Sequence, residues 1–389
     1  MRILHIIASA DLRGGGPIEG LRQQAKIWSA WGVEVEVLSL DDPERLPDLD
    51  IGLKVHCVGP GFLKYGYSRK AKPWLDENAR RFDVVIINGI WTYHSFVTWR
   101  SLRRQGIPYF IFTHGMLDPW FKKKYPFKHL KKWLYWPWAE YRVLRDAAYV
   151  LFTCEEERLL ARKSFWLYRC NERVVKYGTA WPPADADSQK SRFVSAFPAT
   201  KGKRIILFMS RLHPKKGVDL AIEAFAEVCG PLKHFVLVVA GPDEAGLKIK
   251  LERRASELGI SDCLVWTGML RDELKWGAIR SAEVLLLPSH QENFGIIVAE
   301  ALACGTPALI SNKVNIWREV EEDCVGFVAN DTAEGAAQTL RRWLALDEDQ
   351  RSEMSDRARI SFEKRFEITG AVAELTRVFG ERSMSGVTR

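Results

Sequence analysis

No run of apolar residues in this 389-residue chain reaches the ~18 needed to span a bilayer. The opening Met1-Arg2-Ile3-Leu4-His5-Ile6-Ile7 is too short for a secretory leader and runs straight into a Gly-rich loop. A cytoplasmic protein is therefore expected, soluble or peripheral on the inner face of a membrane. CxxC pairs are absent. The seven cysteines (57, 154, 170, 229, 263, 304 and 324) are odd in number and mostly sit in apolar runs, so reduced core thiols are expected rather than a disulfide framework. The dinucleotide fingerprint GxGxxG is absent, and so are nucleic-acid motifs, solenoid repeats and low-complexity tracts. No acidic pair of the DxD type stands at a strand end, because Asp41-Asp42 and Asp48-Leu49-Asp50 fall in a polar loop and read as turn residues. No metal and no resident cofactor is expected.

What is present is repeated alternation of buried strands and amphipathic helices, over a length that allows two sizeable cores. Ile3 to Ile7, Val33 to Leu40, Val55 to Val58, Asp83 to Asn88, Pro108 to Thr113 and Ala147 to Thr153 read as strands of a first domain, over 1–183. Arg204 to Met209, Phe235 to Ala240, Leu264 to Thr267, Ala282 to Leu287 and Leu309 to Ser311 read as strands of a second, over 204–365. The stretch between, 184–203, is rich in Pro, Asp, Ser and Lys and is expected to be a linker. The fold class is thus α/β, with two Rossmann-like, doubly wound parallel sheets. Ligands of such sheets bind beyond the carboxyl ends of the strands. Gly14, Gly15 and Gly16 follow the first strand, where backbone N–H groups can approach a pyrophosphate; Gly89, Trp91, His94 and His114 stand at later strand ends.

The chain is organised around Leu285 to Pro307, LLLPSHQENFGIIVAEALACGTP. A buried strand breaks at Pro288, a polar loop carries Glu292, and a helix then runs from about Phe294 to Gly305. Asn293 can cap that helix. The N–H groups of Asn293, Phe294, Gly295 and Ile296, at the positive end of its dipole, would then seat an anion. Glu292 and Glu300 bracket the seat, and Glu300, on a mostly buried helix, needs a partner such as a ribose diol. Earlier in the chain, Arg211 and Lys216 flank a loop between a buried strand and a helix, with Gly217 after them, and can converge on one anion.

The P-S-x-x-E-x-F-G pattern, Glu292 and Glu300 spaced as E-x7-E, the A-x-G-T-P ending and R-L-x-x-x-K-G at Arg211 to Gly217 resemble the signature of retaining glycosyltransferases of family 4, which have the GT-B fold. The resemblance implies two domains facing a cleft and a C-terminal helix, 366–389, returning to the first. It implies Arg211 and Lys216 as diphosphate ligands, Glu292 on a donor-sugar hydroxyl, Glu300 on the ribose, and His114 beside the donor sugar. Gly15 and Gly16 would face the cleft, and Gly241 and Gly268 would line the base pocket. Two departures stand out: Ser210 replaces a Gly before Arg211, and a Gly pair found in relatives is absent around Asn312 to Glu319. The expected reaction is metal-independent transfer of a hexosyl group from a nucleoside-diphosphate sugar to a glycan or lipid-linked hydroxyl, as in bacterial exopolysaccharide, O-antigen or lipopolysaccharide synthesis.

The net charge of +8 is concentrated, with eleven Lys or Arg between Arg100 and Arg145 against Asp118 and Glu140. In 120–145 these bases interleave with Trp, Tyr and Phe. Either a peripheral surface for anionic membrane or a solvated helical pair over the core satisfies that pattern; a nucleic-acid partner is not expected. Two other function classes share the alternation: an NAD(P)-dependent oxidoreductase or epimerase, against which the missing GxGxxG argues, and a non-catalytic sugar-nucleotide or lipid-binding module.

Overall fold

A computed structural model describes the chain except residues 13–15, 49–50, 125, 245 and 386–389, with backbone alone for 46–48, 121, 123 and 382–385. The chain forms two compact units, Met1–Ala180 with Ile368–Arg389, and Trp181–Glu367.

The first unit holds seven strands: β1 (Arg2–Ile7), β2 (Glu34–Ser39), β3 (Lys54–Cys57), β4 (Val84–Asn88), β5 (Phe110–Phe112), β6 (Tyr149–Phe152) and β7 (Glu172–Val174). They are parallel, in the order β3-β2-β1-β4-β5-β6-β7. Ile3 is paired with Val35 on one side and Val84 on the other, so β1 is central, and the strand order reverses direction between β1 and β4. The continuous apolar runs follow from this: both faces of a parallel sheet are covered by helices, and every residue of β4 is buried. One cover is the helix Gly16–Ala30, another the last helix, Ile368–Ser385. Val372, Leu375, Val378 and Phe379 of the latter join Ile3, Trp28 and Phe110 in one apolar cluster. The Trp28 indole N–H donates to Thr376 Oγ1 at 2.9 Å. Burying side chains of this size contributes ~2–3 kcal/mol each.

The second unit holds β8 (Arg204–Met209), β9 (Phe235–Ala240), β10 (Leu264–Gly268), β11 (Ala282–Leu287), β12 (Ala308–Ser311) and β13 (Gly326–Ala329). These are also parallel, in the order β10-β9-β8-β11-β12-β13. The expected linker, 184–203, instead contains the helix Ala186–Ala196, which buries Gln189 and Phe193. It lies so close to the helix Asp272–Ser281 that a Cβ on Gly277 would come 2.2 Å from the Gln189 carbonyl. Its polar composition reflects one solvated helix face and not a tether.

All seven cysteines are free thiols, but only Cys154 and Cys229 are buried, and Cys324 is exposed. The expectation of core thiols is corrected for the others, whose apolar neighbours in sequence point elsewhere in space. Among the described residues no helix is long and apolar enough to cross a membrane. Among them, no group of three or more His, Cys, Asp or Glu is placed to hold a metal ion.

Candidate active site

Because the second sheet is parallel, the loops after β8, β9, β11 and β12 share one edge. After β8 the chain makes a single tight turn, Pro214–Lys216, in which His213 Nδ1 accepts from the Lys215 N–H at 3.1 Å. Gly217 follows at φ 67° and opens the helix Val218–Val228. A Cβ there would sit 2.3 Å from the Pro288 carbonyl oxygen, so the loops after β8 and β11 touch backbone to backbone. The His290 N–H donates to the Lys215 carbonyl at 2.8 Å. Glu292 is fixed by a bridge to Val314: its N–H donates to the Lys313 carbonyl at 2.9 Å, and its carbonyl accepts from the Asn315 N–H at 3.1 Å.

This frame delivers an ion pair between a buried ammonium and a half-buried carboxylate. Lys216, 5% exposed, directs Nζ at Glu292 Oε2. Burial pushes the Glu292 carboxyl up, but the charge and hydrogen bond of Lys216, aided by Lys215, outweigh it and hold the group below the usual carboxylate range. Glu292 is ionised at neutral pH and acts only as an acceptor.

The helix after this loop is Ile296–Ala303, shorter than expected, and its cap is Gly295 rather than Asn293. No side chain caps it, which leaves first-turn N–H groups for an anion. Phe294 is buried against Phe366, with ring centroids 5.7 Å apart, and so reads as an anchor for the loop. Glu300, 4% exposed, is not waiting for a ligand: Lys275 Nζ, from the helix Asp272–Ser281, meets its Oε1 at 2.5 Å. Arg211 and Lys216 take different carboxylate partners. Arg211 is half-exposed and pairs with Glu244 at 3.2 Å, an exposed contact that contributes ~0–1 kcal/mol and is easily exchanged. Gly241 donates its N–H to the Gly268 carbonyl at 2.8 Å, and a Cβ on it would lie 1.8 Å from the Ser210 carbonyl. The ends of β8, β9 and β10 thus form one backbone edge, and Ser210 is accommodated without the Gly of relatives.

In the first unit, His114 ends β5 at φ 47°, stacks on Phe112 and places Nε2 3.3 Å from Asn88 Oδ1. Asn88 Nδ2 lies 3.1 Å from His5 Nδ1, and the Asn88 carbonyl 3.0 Å from His94 Nε2. Burial lowers His114 and His94 to about 4; burial and then the charge of His114 lower His5 to about 3. All three are neutral at pH 7. His94 and His5 are enclosed, while His114 is partly exposed. Gly15 and Gly14 lie outside the described residues; Gly16 begins the first helix.

Residues 189–361 match the family model "Glycosyl transferases group 1", and residues 15–178 match "Glycosyl transferase 4-like domain". The second half of the chain thus matches the group 1 glycosyl transferases and the first half the glycosyl transferase 4-like domains. The chain is 28% identical over 267 residues to a GDP-mannose-dependent alpha-(1-6)-phosphatidylinositol dimannoside mannosyltransferase of Mycobacterium tuberculosis, covering 66% of this chain and 65% of that protein. It is 33% identical over 175 residues to a D-inositol 3-phosphate glycosyltransferase of Geodermatophilus obscurus, covering 43% and 38%. The matches thus span under two thirds of those relatives' own lengths. Among solved structures, HepE from Anabaena in complex with UDP superimposes with TM-score 0.80 at 16% identity, covering 98% of this chain and 100% of that one. Sucrose-phosphate synthase from Thermosynechococcus elongatus gives 0.76 at 20% identity, covering 99% and 100%. The fold is GT-B.

Two residues that position others escaped sequence reasoning. Glu157 accepts from Thr113 Oγ1, the Gly115 N–H, the Thr153 N–H and Thr153 Oγ1 at 2.7–2.8 Å, tying the end of β5 to that of β6. Lys275 holds Glu300 from another helix. Glu157 stands third in Glu155-Glu156-Glu157, and nothing local separates it from its solvated neighbours.

Proposed function

We propose that the protein is a retaining, metal-independent hexosyltransferase moving a sugar from a nucleoside-diphosphate sugar to a hydroxyl of a glycan or lipid-linked acceptor in bacterial surface-polysaccharide synthesis. The observation that carries the reading is the Lys216–Glu292 pair on the strand-end loops. A donor satisfies both partners at once, its diphosphate taking the ammonium and a sugar hydroxyl the carboxylate. As the glycosidic C–O bond breaks, negative charge grows on the diphosphate. Lys216, Arg211 swung from Glu244, and the N–H groups of Gly295, Ile296 and their neighbours stabilise it, an electrostatic contribution of several kcal/mol. Glu300, oriented by Lys275, is assigned to the ribose hydroxyls, and His114 to the substrate side of the first unit.

Retention by double displacement needs a carboxylate nucleophile on the opposite sugar face. The first unit's Glu140 and Glu157 are both enclosed, so front-face attack with the leaving phosphate as base is preferred. The match of both halves to glycosyl transferase families sets aside the oxidoreductase reading, and donor hydrolysis without acceptor separates an enzyme from a binding module.

A lipid-linked acceptor is supported by the phosphatidylinositol dimannoside in the relative's name. It is also supported by the helix Pro126–Tyr135, where Phe127 is 85% exposed and Leu134 60% beside exposed Lys128 and Lys131. Such a surface fits peripheral contact with anionic lipid.

Thermal stabilisation against UDP-, GDP-, ADP- and dTDP-sugars tests the donor reading. A ligand at 100 times its Kd adds about 2.7 kcal/mol. A shift with one nucleotide family, lost in Arg211→Ala, supports the site, and no shift with any of them refutes it. Anomeric assignment of the product by NMR tests retention, and full activity in EDTA tests metal independence.

A further inference from the structure

We propose that the second unit carries a separate site for a small phosphorylated ligand, on the sheet edge opposite the donor loops. A cavity of about 580 Å³ opens there, lined by Ala282 and Glu283 at the start of β11 and by Gly305 to Pro307 just before β12. In a parallel sheet the strand starts share one edge, and the loops of Lys216 and Glu292 lie beyond the other.

Three arginines line the cavity: Arg280 from the helix Asp272–Ser281, and Arg351 and Arg359 from the helix Glu348–Ser361. Arg280 and Arg351 form no ion pair with any described residue. Each is oriented by a backbone carbonyl instead, Arg280 Nη2 donating to Pro183 at 2.8 Å and Arg351 Nη2 to Leu344 at 3.0 Å. Arg280 Nη1 and Arg351 Nε are buried and have no hydrogen-bond partner among the described residues. Buried guanidinium N–H groups are ordinarily satisfied, and both of these belong to side chains that line the cavity.

Neither carboxylate on the wall, Glu283 or Glu348, pairs with Arg280 or Arg351. Glu283 is taken by Arg204, at 2.5 and 2.8 Å, and by the Trp343 indole N–H at 3.3 Å. Arg359 lies against the Gly305 backbone, where a Cβ would come 2.7 Å from its guanidinium. Exposed Lys190 adds a fourth cation to the wall. Arg359 already pairs with Asp356 at 3.1 Å. Arg280 and Arg351, however, are planar forks with no ion pair among the described residues, which suits the bidentate geometry of a phosphate, and the volume fits a ligand the size of a sugar phosphate.

The test titrates the intact protein with inorganic pyrophosphate while hydrogen exchange reports position. Protection is expected at 303–307 and 348–359, with affinity lowered tenfold or more in Arg351→Met and in Arg359→Glu. Arg359 is exposed and its pair with Asp356 is a surface one, so losing it costs little stability. Absence of protection in these segments at millimolar probe, or protection that survives Arg359→Glu, overturns the site.

Discussion

At Glu292 the balance between burial and a neighbouring cation decides both stability and chemistry. Removing it leaves the buried Lys216 ammonium uncompensated, at a cost of ~3–5 kcal/mol. Glu292→Ala should therefore lower both the Tm and the turnover, the latter by a hundredfold or more. The double variant Lys216→Met/Glu292→Gln should recover most of the Tm and none of the turnover, a contrast that unfolding and steady-state measurements read directly. Turnover recovered together with stability would make the pair a structural strut only. Glu140 offers the opposite case. It is enclosed, Oε1 accepts from the Trp91 N–H and Ser95 Oγ at 3.0 Å, Oε2 has no partner among the described residues, and burial raises its pKa to about 7. A raised acid contributes stability that is present at low pH and is lost as pH rises from 4.5 through 7. Glu140→Gln should then stabilise the protein by ~2 kcal/mol at pH 8 and change little at pH 4.5. Equal effects at both values would show that ionisation of this carboxyl is not what costs stability.

Among elements, the helix Pro126–Tyr135 carries the membrane prediction. Lys128 and Lys131 are exposed, but Lys132 is half-buried with Nζ 4.4 Å from the centre of the Trp91 ring, and burial lowers it to about 8. It belongs to the fold and not to the surface. Each exposed lysine near anionic lipid contributes ~1 kcal/mol. Reversing Lys124, Lys128 and Lys131 to Glu should abolish sedimentation with phosphatidylglycerol vesicles, and unchanged binding would remove the lipid reading. The same element shows what a sequence conveys. Interleaved bases and aromatics were visible, but which lysine turns inward depends on Trp91 and Glu140, elements away. Elsewhere β8, β9 and β11 and the helix Val218–Val228 were legible to the residue, because apolar runs end there at or just before Ser, Gly or Pro. β13 was not, being four residues of which three are only half-buried. The loop carrying Glu292 was legible as a polar strand-end loop before a helix, yet its true cap, Gly295, and the Lys275 partner of Glu300 were not. Caps depend on backbone angles and partners on tertiary placement, and neither leaves a periodic trace.

For the molecule as a whole, acid and donor should act on different units. His5, His94 and His114 all belong to the first unit, surround Asn88, and have folded pKa values lowered from 6.5 to about 3, 4 and 4. A lowered histidine means that the unfolded chain binds more protons, so the associated stability is complete above pH 6.5 and is lost as pH falls toward 4. Three such groups give a slope of ~4 kcal/mol per pH unit near pH 5, and Glu140 opposes it with ~1. The net loss over one unit is a sizeable share of the ~5–15 kcal/mol that holds a typical protein folded. In the second unit His213 is only partly buried, and its lowering, from burial and then from Lys215, Arg211 and Lys216, is of a lesser order. Pulse proteolysis at pH 5 should therefore cut first within 1–180, while saturating donor should protect 181–367 at pH 7.5. Cleavage beginning in the second unit at pH 5 would mean that the Asn88 cluster does not govern acid stability. Replacing His94 by Gln, which keeps a donor for the Asn88 carbonyl and cannot be protonated, should flatten the acid slope by about a third.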